Sequence, residues 1–296
     1  MGGRPVPSLS FYRMEKDSLK RHLPKILIIV LLIIGLGLVF YPTLSNWLNE
    51  RNASRVIDEY SEVVSVMDPA DVERHLEMAQ TYNSSLTGSA VKDPFIPGSG
   101  VVLPDNYVSV LNVDGKGLIG HIKIPKINVD LPIYHGTSEA VLQKAIGHME
   151  NSAFPIGGEG NHSIITGHSG LSSYKLFTDL EKMEEGDIFY ILVLNDILAY
   201  EVDQILVIEP EDTSNLLPVQ GEDYITLITC TPYAVNSHRL LVRGTRVPYV
   251  DPDTLEIETP ERAGLDWRLM MILIFFILLA LAFGIYRLVD GRRKRN

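Results

Sequence analysis

The stretch Asp223–Val247, DYITLITCTPYAVNSHRLLVRGTRV, contains the clearest strand signals of this chain. Both of its ends are rich in β-branched and aliphatic residues, and Pro232 and Asn236 lie between them, which predicts two strands joined by a loop. Cys230 closes the first predicted strand, and Arg239 follows nine residues later, near the start of the second. Because antiparallel pairing brings such positions together, we expect the thiol and the guanidinium at the same end of a sheet.

Residues 114–250, around this stretch, contain many short runs typical of strands and few typical of helices. Such a pattern favours a mainly β domain, either a sandwich or a closed barrel. A tight hairpin is expected at Asn195–Asp196, and short helices at Ser138–Ala145 and Lys175–Met183. The predicted strands are Leu118–Ile124, Ile127–Tyr134, Ser163–Gly167, Asp187–Leu194, Ile197–Ile208, Tyr224–Cys230 and Arg239–Val247.

Two segments precede this domain. Residues 43–86 are predicted to be helical, and Asp68 followed by Pro69 indicates the capped start of the second of two helices. In residues 87–113, glycines and prolines interrupt any helical or strand period, which is typical of a functional loop or a linker. This irregular segment contains Asp93-Pro94-Phe95, an acid and an aromatic residue held together by a proline.

Two apolar runs flank the domains. Ile26–Tyr41 has a helical length of about 24 Å, and Leu269–Tyr286 has one of about 27 Å, close to the hydrocarbon thickness of a bilayer. We therefore predict transmembrane helices at 26–42 and 269–286. Residues 251–268, which contain several prolines and acids, form the linker to the second one.

The charges outside these runs predict the topology. Basic residues are concentrated in the tails 1–25 and 287–296. By the positive-inside rule both termini are cytoplasmic, so the middle of the chain lies on the extracellular face of the cell membrane. A cleavable signal peptide is the alternative for the first run, since Thr43–Ser45 is a weak small-x-small cleavage site.

The middle of the chain is strongly acidic. The tails hold 11 of the 26 Lys and Arg and 3 of the 37 Asp and Glu, which leaves 15 basic and 34 acidic residues and a net charge of −19. This balance excludes nucleic-acid binding by phosphate neutralisation. It suits basic partners, although an exported domain also gains solubility from such a charge.

A single cysteine cannot form an internal disulfide, so Cys230 is either a buried apolar residue or a reactive thiol. A reactive thiol needs a base or a cation that lowers its pKa. The candidate base is His168, which follows a predicted strand between glycines, and His162 and His238 are rivals. Arg239 is the candidate donor to an oxyanion. The sequence contains no zinc-type Cys/His spacing and no glycine-rich phosphate loop, so neither a metal nor a cofactor is expected.

These residues also resemble a known family. Thr226–Cys230 (TLITC) resembles the TLxTC signature of sortases, and Arg239 and Thr166-Gly167-His168 match the family's arginine and histidine positions. The resemblance covers Leu118–Val247 and implies a closed eight-stranded β-barrel that catalyses transpeptidation on LPxTG-like sorting signals of Gram-positive surface proteins. It implies that Cys230 is the nucleophile, that Arg239 stabilises the oxyanion and that His168 is the acid and base. Thr229 is expected to contact substrate or to help place Arg239.

Two further features resemble the pilin-polymerising class C branch, namely the C-terminal apolar run and Asp93-Pro94-Phe95. The second is similar to that branch's lid motif, which implies that Asp93 pairs with Arg239 and that Phe95 lies over Cys230. The acceptor amine would then be a lysine of a pilin subunit. A housekeeping sortase that anchors surface proteins to the cell-wall precursor, and a catalytically silent membrane-anchored binding or scaffold domain, are the alternatives.

The strength of such a lid can be bounded in advance. An exposed Asp–Arg pair contributes only about 0–1 kcal/mol, whereas a shift from 1:99 to 99:1 needs about 5.5 kcal/mol. If the pair is exposed, packing of Phe95 must therefore contribute to closure, or the lid opens often.

Overall fold

The structure is a computed structural model. The chain divides into two compact units, Met1–Tyr249 and Val250–Asn296. In the second unit the described residues are Val250 and the helical pair 275–276. For residues 9–30, 32 and 33 the backbone alone is described. The structure as a whole describes residues 9–86, 93, 95, 106–250 and 275–276.

The described residues of the first unit contain eight strands, which close into a barrel in the order β1-β2-β3-β4-β7-β8-β6-β5. Strand β5 pairs back onto β1 and closes the barrel. The pairs β2–β3 and β4–β7 are parallel, and the others are antiparallel. The predicted closed eight-stranded barrel is confirmed. The strands are β1 (Leu118–Ile124), β2 (Val129–His135), β3 (Ile146–His148), β4 (Asn161–Thr166), β5 (Ile188–Val193), β6 (Asp196–Ile208), β7 (Asp223–Thr231) and β8 (His238–Val247).

The sequence prediction missed β3, which has only three residues and so carries too short a run to be recognised. The start of β2 was also placed too early, because Pro125–Ile127 form a 3-10 turn that ends at Asn128 in the left-handed region, with φ of 51°. The β5–β6 hairpin turn lies one residue before the predicted one, since Val193 pairs with Asp196. Turn residues alone do not fix the register of a hairpin, which depends on the pairing of the strands.

Three α-helices are described: α1 (Leu9–Ser65), α2 (Pro69–Ser85) and the short α3 (Glu139–Leu142). The predicted cap is confirmed, since the Asp68 side chain accepts a hydrogen bond of 2.9 Å from Ala70 N. The prediction of a short helix at Lys175–Met183 is wrong, because only the 3-10 turn Leu180–Lys182 forms there.

The predicted run at 26–42 lies within the backbone of α1, but the side chains of 26–30, 32 and 33 are outside the described residues. The run at 269–286 also lies outside them, apart from 275–276. Over the part of the chain that is described, no helix combines the length and the apolar character needed to span a bilayer.

Two buried polar side chains attach the helices to the barrel. The Tyr60 hydroxyl of α1 donates to Ile119 O and accepts from Leu194 N, both at 2.9 Å. Asn83 of α2 donates to Phe154 O at 3.2 Å and accepts from Phe154 N at 2.7 Å. Buried polar groups are costly unless they are paired, so these bonds fix the positions of both helices on the barrel. The segment that contains Asp93 starts from the end of α2.

Candidate active site

Cys230 and Arg239 are directly opposite each other on the antiparallel strands β7 and β8. Opposed residues of an antiparallel pair point to the same face of the sheet, so the thiol and the guanidinium share one face. Both residues are buried at 7% exposure. The juxtaposition predicted from the sequence is therefore present.

His168 follows β4, which runs parallel to β7 with Thr166 opposite Ile228. Extending this register by two residues brings His168 to the level of Cys230. Gly167 continues the pairing, since its N–H donates to Ile228 O at 3.1 Å. A Cβ on Gly167 would lie 2.8 Å from both the Ile146 and the Phe177 side chains, so only glycine allows the chain to reach this position.

The two rival histidines are engaged elsewhere. His162, near the start of β4, pairs with Leu217 O at 3.0 Å through Nδ1 and with Thr226 Oγ1 at 2.7 Å through Nε2. His238 precedes Arg239 on β8, so its side chain points to the opposite face, where Nε2 lies 3.2 Å from Glu209 Oε1. His168 is therefore the histidine placed to serve Cys230.

Thr229 makes a contact that the sequence did not predict. Its side chain is 2% exposed, and Oγ1 donates to Gly167 O at 2.7 Å. The bond joins β7 to the residue before His168, so Thr229 fixes the histidine's backbone. Residues 229 and 230 point to opposite faces of β7, and Arg239 shares the face of Cys230. Thr229 therefore does not share a face with Arg239, contrary to the expected role in placing it.

Asp93 and Phe95 cover the site. Arg239 Nε donates to Asp93 Oδ2 at 2.7 Å, and the two side chains are 8% and 3% exposed. The Phe95 ring centroid lies 5.3 Å from the His168 ring and 5.1 Å from Arg239 Cζ. Phe95 N also donates to Asp93 Oδ1 at 2.8 Å, which holds the two residues as one unit. The predicted Asp93–Arg239 pair is thus present, and Phe95 bridges the two residues that flank Cys230.

A small cavity lies beside Asp93 and Arg239. Leu216, Ile228 and Leu241 also line it, and its volume is about 10 Å³. Such a volume holds at most one water molecule, so Asp93 and Arg239 are closely packed on this side.

Arg239 is held by several acceptors. Its Nη1 donates to Asn236 O at 3.2 Å and to His238 O at 3.1 Å, in addition to the bond from Nε to Asp93. A guanidinium keeps its charge and carries five N–H donors in a fixed fork. If Asp93 withdraws, Nε–H becomes free to donate to an oxyanion while Nη1 keeps the group in place.

Burial sets the protonation of the catalytic pair. It raises the pKa of the Cys230 thiol, an effect that Arg239 opposes and Asp93 reinforces. Burial also lowers the pKa of His168, and Glu139 counteracts it. The covered site therefore favours a neutral thiol and a neutral imidazole, and the carboxylate of Asp93 adds to that preference.

The sequence analysis missed Glu139, whose Oε2 lies 3.9 Å from His168 Nε2. Its position right after Ser138, the predicted start of a helix, was a possible signal, but nothing local indicated that α3 faces His168. Among the described residues, no group of three or more His, Cys, Asp or Glu side chains could hold a metal ion.

Comparisons with known proteins agree with this geometry. The sortase domain model matches residues 122–247. Sortase C-1 from Streptococcus pneumoniae is 44% identical, with 66% of this chain and 100% of that chain covered and a TM-score of 0.63. The pilus-related sortase C of Group B Streptococcus is 42% identical, with 65% and 97% covered and a TM-score of 0.61. Sortase A of Bacillus anthracis is 26% identical over 230 residues, which cover 77% of this chain and 96% of that protein.

The match covers 97–100% of these two sortase C structures, and the region matched by the family model contains Cys230, Arg239 and His168. The chain therefore belongs to the sortase family of cysteine transpeptidases, within its class C branch.

Proposed function

We propose that this protein cleaves LPxTG-like sorting signals through a thioacyl-enzyme and joins pilin subunits by lysine isopeptide bonds. The observation that carries the proposal is the opposition of Cys230 and Arg239 on β7 and β8, with His168 at the same level just beyond the end of the neighbouring strand β4. A nucleophile, an oxyanion donor and a proton-transfer group are thus within one short region, as acyl transfer requires.

In the first half-reaction Cys230 passes its thiol proton to His168, and the sulfur attacks the carbonyl carbon of the signal's Thr–Gly bond. The carbonyl oxygen becomes an oxyanion, which the Arg239 guanidinium stabilises. When the C–N bond breaks, His168 donates a proton to the leaving amine, and a thioester remains on Cys230. In the second half-reaction a lysine amine attacks the thioester, His168 accepts its proton, and the thiolate leaves.

Two observations favour pilin polymerisation over cell-wall anchoring. Asp93 and Phe95 cover the site as the lid motif of the class C branch implies, and a sortase C of Group B Streptococcus at 42% identity is described as pilus-related. The acidic middle of the chain, with its net charge of −19, also suits a partner that presents a lysine.

The location follows from the sequence and is part of the proposal. Segments 26–42 and 269–286 anchor the protein in the cell membrane, the barrel lies on the extracellular face, and both termini are cytoplasmic. The support is the apolar character of both runs and the basic residues outside them.

The test uses the full-length protein in detergent micelles, incubated with an LPxTG-type peptide. Mass spectrometry should detect an adduct on Cys230 that hydroxylamine releases, and Cys230→Ala should abolish it. Adding a pilin with its acceptor lysine, or with that lysine replaced, should give a cross-linked product only with the first. A thioester without lysine-dependent product would favour the housekeeping activity. The absence of any adduct, even with Asp93→Ala and Phe95→Ala combined, would overturn the proposal in favour of a silent scaffold.

A further inference from the structure

Glu139 points one carboxylate oxygen at the imidazole of His168. It is the first residue of α3, and its Oε1 accepts a hydrogen bond of 2.5 Å from Gln143 Nε2, one turn along the helix. The other oxygen, Oε2, lies 3.9 Å from His168 Nε2. Gln143 therefore fixes the carboxylate in an orientation that leaves one oxygen facing the ring.

The nitrogen that faces this oxygen has no hydrogen-bond partner in the part of the chain that the structure describes. Among the described residues, His168 Nε2 is buried and makes no hydrogen bond, although the side chain as a whole is 19% exposed. A buried donor without an acceptor is costly, so a small rotation of the Glu139 side chain that closes the 3.9 Å gap is favourable. The resulting contact would also fix the ring, since a histidine nitrogen bonded to a carboxylate carries its proton.

The other charged and titratable groups at this end of the barrel do not serve this purpose. Cys230 and Arg239 lie on β7 and β8, and Asp93 is bound to Arg239 at 2.7 Å. Phe95, which packs against the His168 ring, is uncharged. Glu139, in contrast, carries a negative charge that favours the protonated imidazole of His168, whereas burial disfavours it.

We propose that Glu139 is a positioning residue that orients the His168 ring through Nε2 and stabilises its imidazolium form during proton transfer to the leaving amine. The inference rests on the acid–base role of His168 in the proposed function. It adds a third group to the nucleophile and acid pair, in the way that an orienting carboxylate supports a catalytic histidine elsewhere.

The consequence for kinetics is specific. Because the thiol pKa is raised and the imidazole pKa is lowered, the thiolate–imidazolium form is a minor fraction of the enzyme. If the pKa of His168 falls further, its acidity constant rises, and the thiolate–imidazolium fraction falls by the same factor. A unit charge about 4 Å away in a solvated site shifts a pKa by about 0.5–1 unit. Losing the Glu139 charge should therefore lower the maximal rate about three- to tenfold and move the acid limb of the pH–rate profile down by about 0.5–1 pH unit.

The experiment compares full-length wild type, Glu139→Gln and Glu77→Gln. The last is a matched control, because it removes the same charge from an exposed position on α2. The kcat/KM for thioester formation on an LPxTG-type peptide is measured from pH 5 to 10, and the His168 pKa is followed by NMR in the Cys230→Ala background. We expect the rate and the acid limb to change together in Glu139→Gln, the NMR pKa to fall by the same amount, and the control to match wild type.

An unchanged acid limb and NMR pKa in Glu139→Gln would overturn the inference, even if the rate falls, because a structural defect lowers the rate without moving the limb. This outcome leaves the proposed function intact as long as wild type forms the thioester. Failure of wild type to form it contradicts the proposed function itself, so the two failures are distinguishable. The Glu139 side chain is 72% exposed, so the substitution should leave folding unchanged, and melting temperatures check this.

Discussion

Replacing Asp93 by alanine should release the contact that covers Cys230. The Asp93–Arg239 pair has an Nε–Oδ2 distance of 2.7 Å, and its side chains are 3% and 8% exposed. Removing one member of a buried ion pair costs about 3–5 kcal/mol, compared with about 0–1 kcal/mol for an exposed pair. Most of this cost falls on the covered state, because Arg239 can be solvated when the lid is open.

The size of the effect follows from these values. A penalty of about 3–5 kcal/mol raises the ratio of open to covered forms by about two to three and a half powers of ten. Phe95 adds aromatic and cation–π contacts worth about 0.5–1.5 kcal/mol through His168 and Arg239. Together these terms approach the 5.5 kcal/mol or so that would turn a 99:1 covered site into a 1:99 one. Loss of Asp93 also removes a charge that raises the pKa of Cys230, so the thiolate fraction should increase.

The assay is the second-order rate of Cys230 modification by a bulky maleimide at pH 7, in wild type, Asp93→Ala and Phe95→Ala. Asp203→Ala is the matched control, since Asp203 forms a two-point ion pair with Arg243 on the same strand as Arg239. We expect at least a tenfold acceleration in Asp93→Ala, a smaller one in Phe95→Ala and none in the control. Equal rates in wild type and both lid variants would refute the covering role of Asp93 and Phe95.

Two further predictions concern buried groups of the barrel. Thr229→Val removes the donor to Gly167 O and should lower kcat for thioester formation about tenfold with little change in KM, as expected from about 1–3 kcal/mol for a lost buried bond. Thr229→Ser keeps the hydroxyl and should retain most of the activity, so equal losses in both variants would argue against this role. Burial lowers the pKa of His148 to about 3, so the folded state resists protonation at a site that titrates near 6.5 when unfolded. The stability from neutral His148 is complete above pH 6.5 and is lost as the pH falls towards 3, by about 2 kcal/mol between pH 6.5 and 5. Urea unfolding at the two pH values should show a loss about 2 kcal/mol larger in wild type than in His148→Gln, because other buried histidines such as His121 contribute to the loss in both. An equal loss in both would contradict the prediction.

Sequence patterns predicted most of the strands, the order of His168, Cys230 and Arg239 along the chain, and the family. β-Branched runs and turn residues predicted seven of the strands, because local propensity and burial act within a few residues of each other. The proximity of Cys230 and Arg239 could be predicted from the sequence, since they lie on two strands joined by a short loop. His168 was a candidate through its motif, although His162 and His238 stayed open until the structure was known.

Contacts between distant segments could be read only from the folded chain. The parallel pairing of β4 with β7 brought His168 to the level of Cys230 and put His162 opposite Tyr224, and it gave Thr229 the Gly167 carbonyl as its partner. His238 was excluded by its place on β8, where its side chain points away from that of Arg239. Spatial packing alone brought Glu139 to His168. The expected strength of the Asp93–Arg239 pair changed most. The two residues are 146 positions apart in the sequence, so the burial of their ion pair could not be predicted. In the structure both side chains are nearly inaccessible to water, and the loss of solvent screening strengthens the pair.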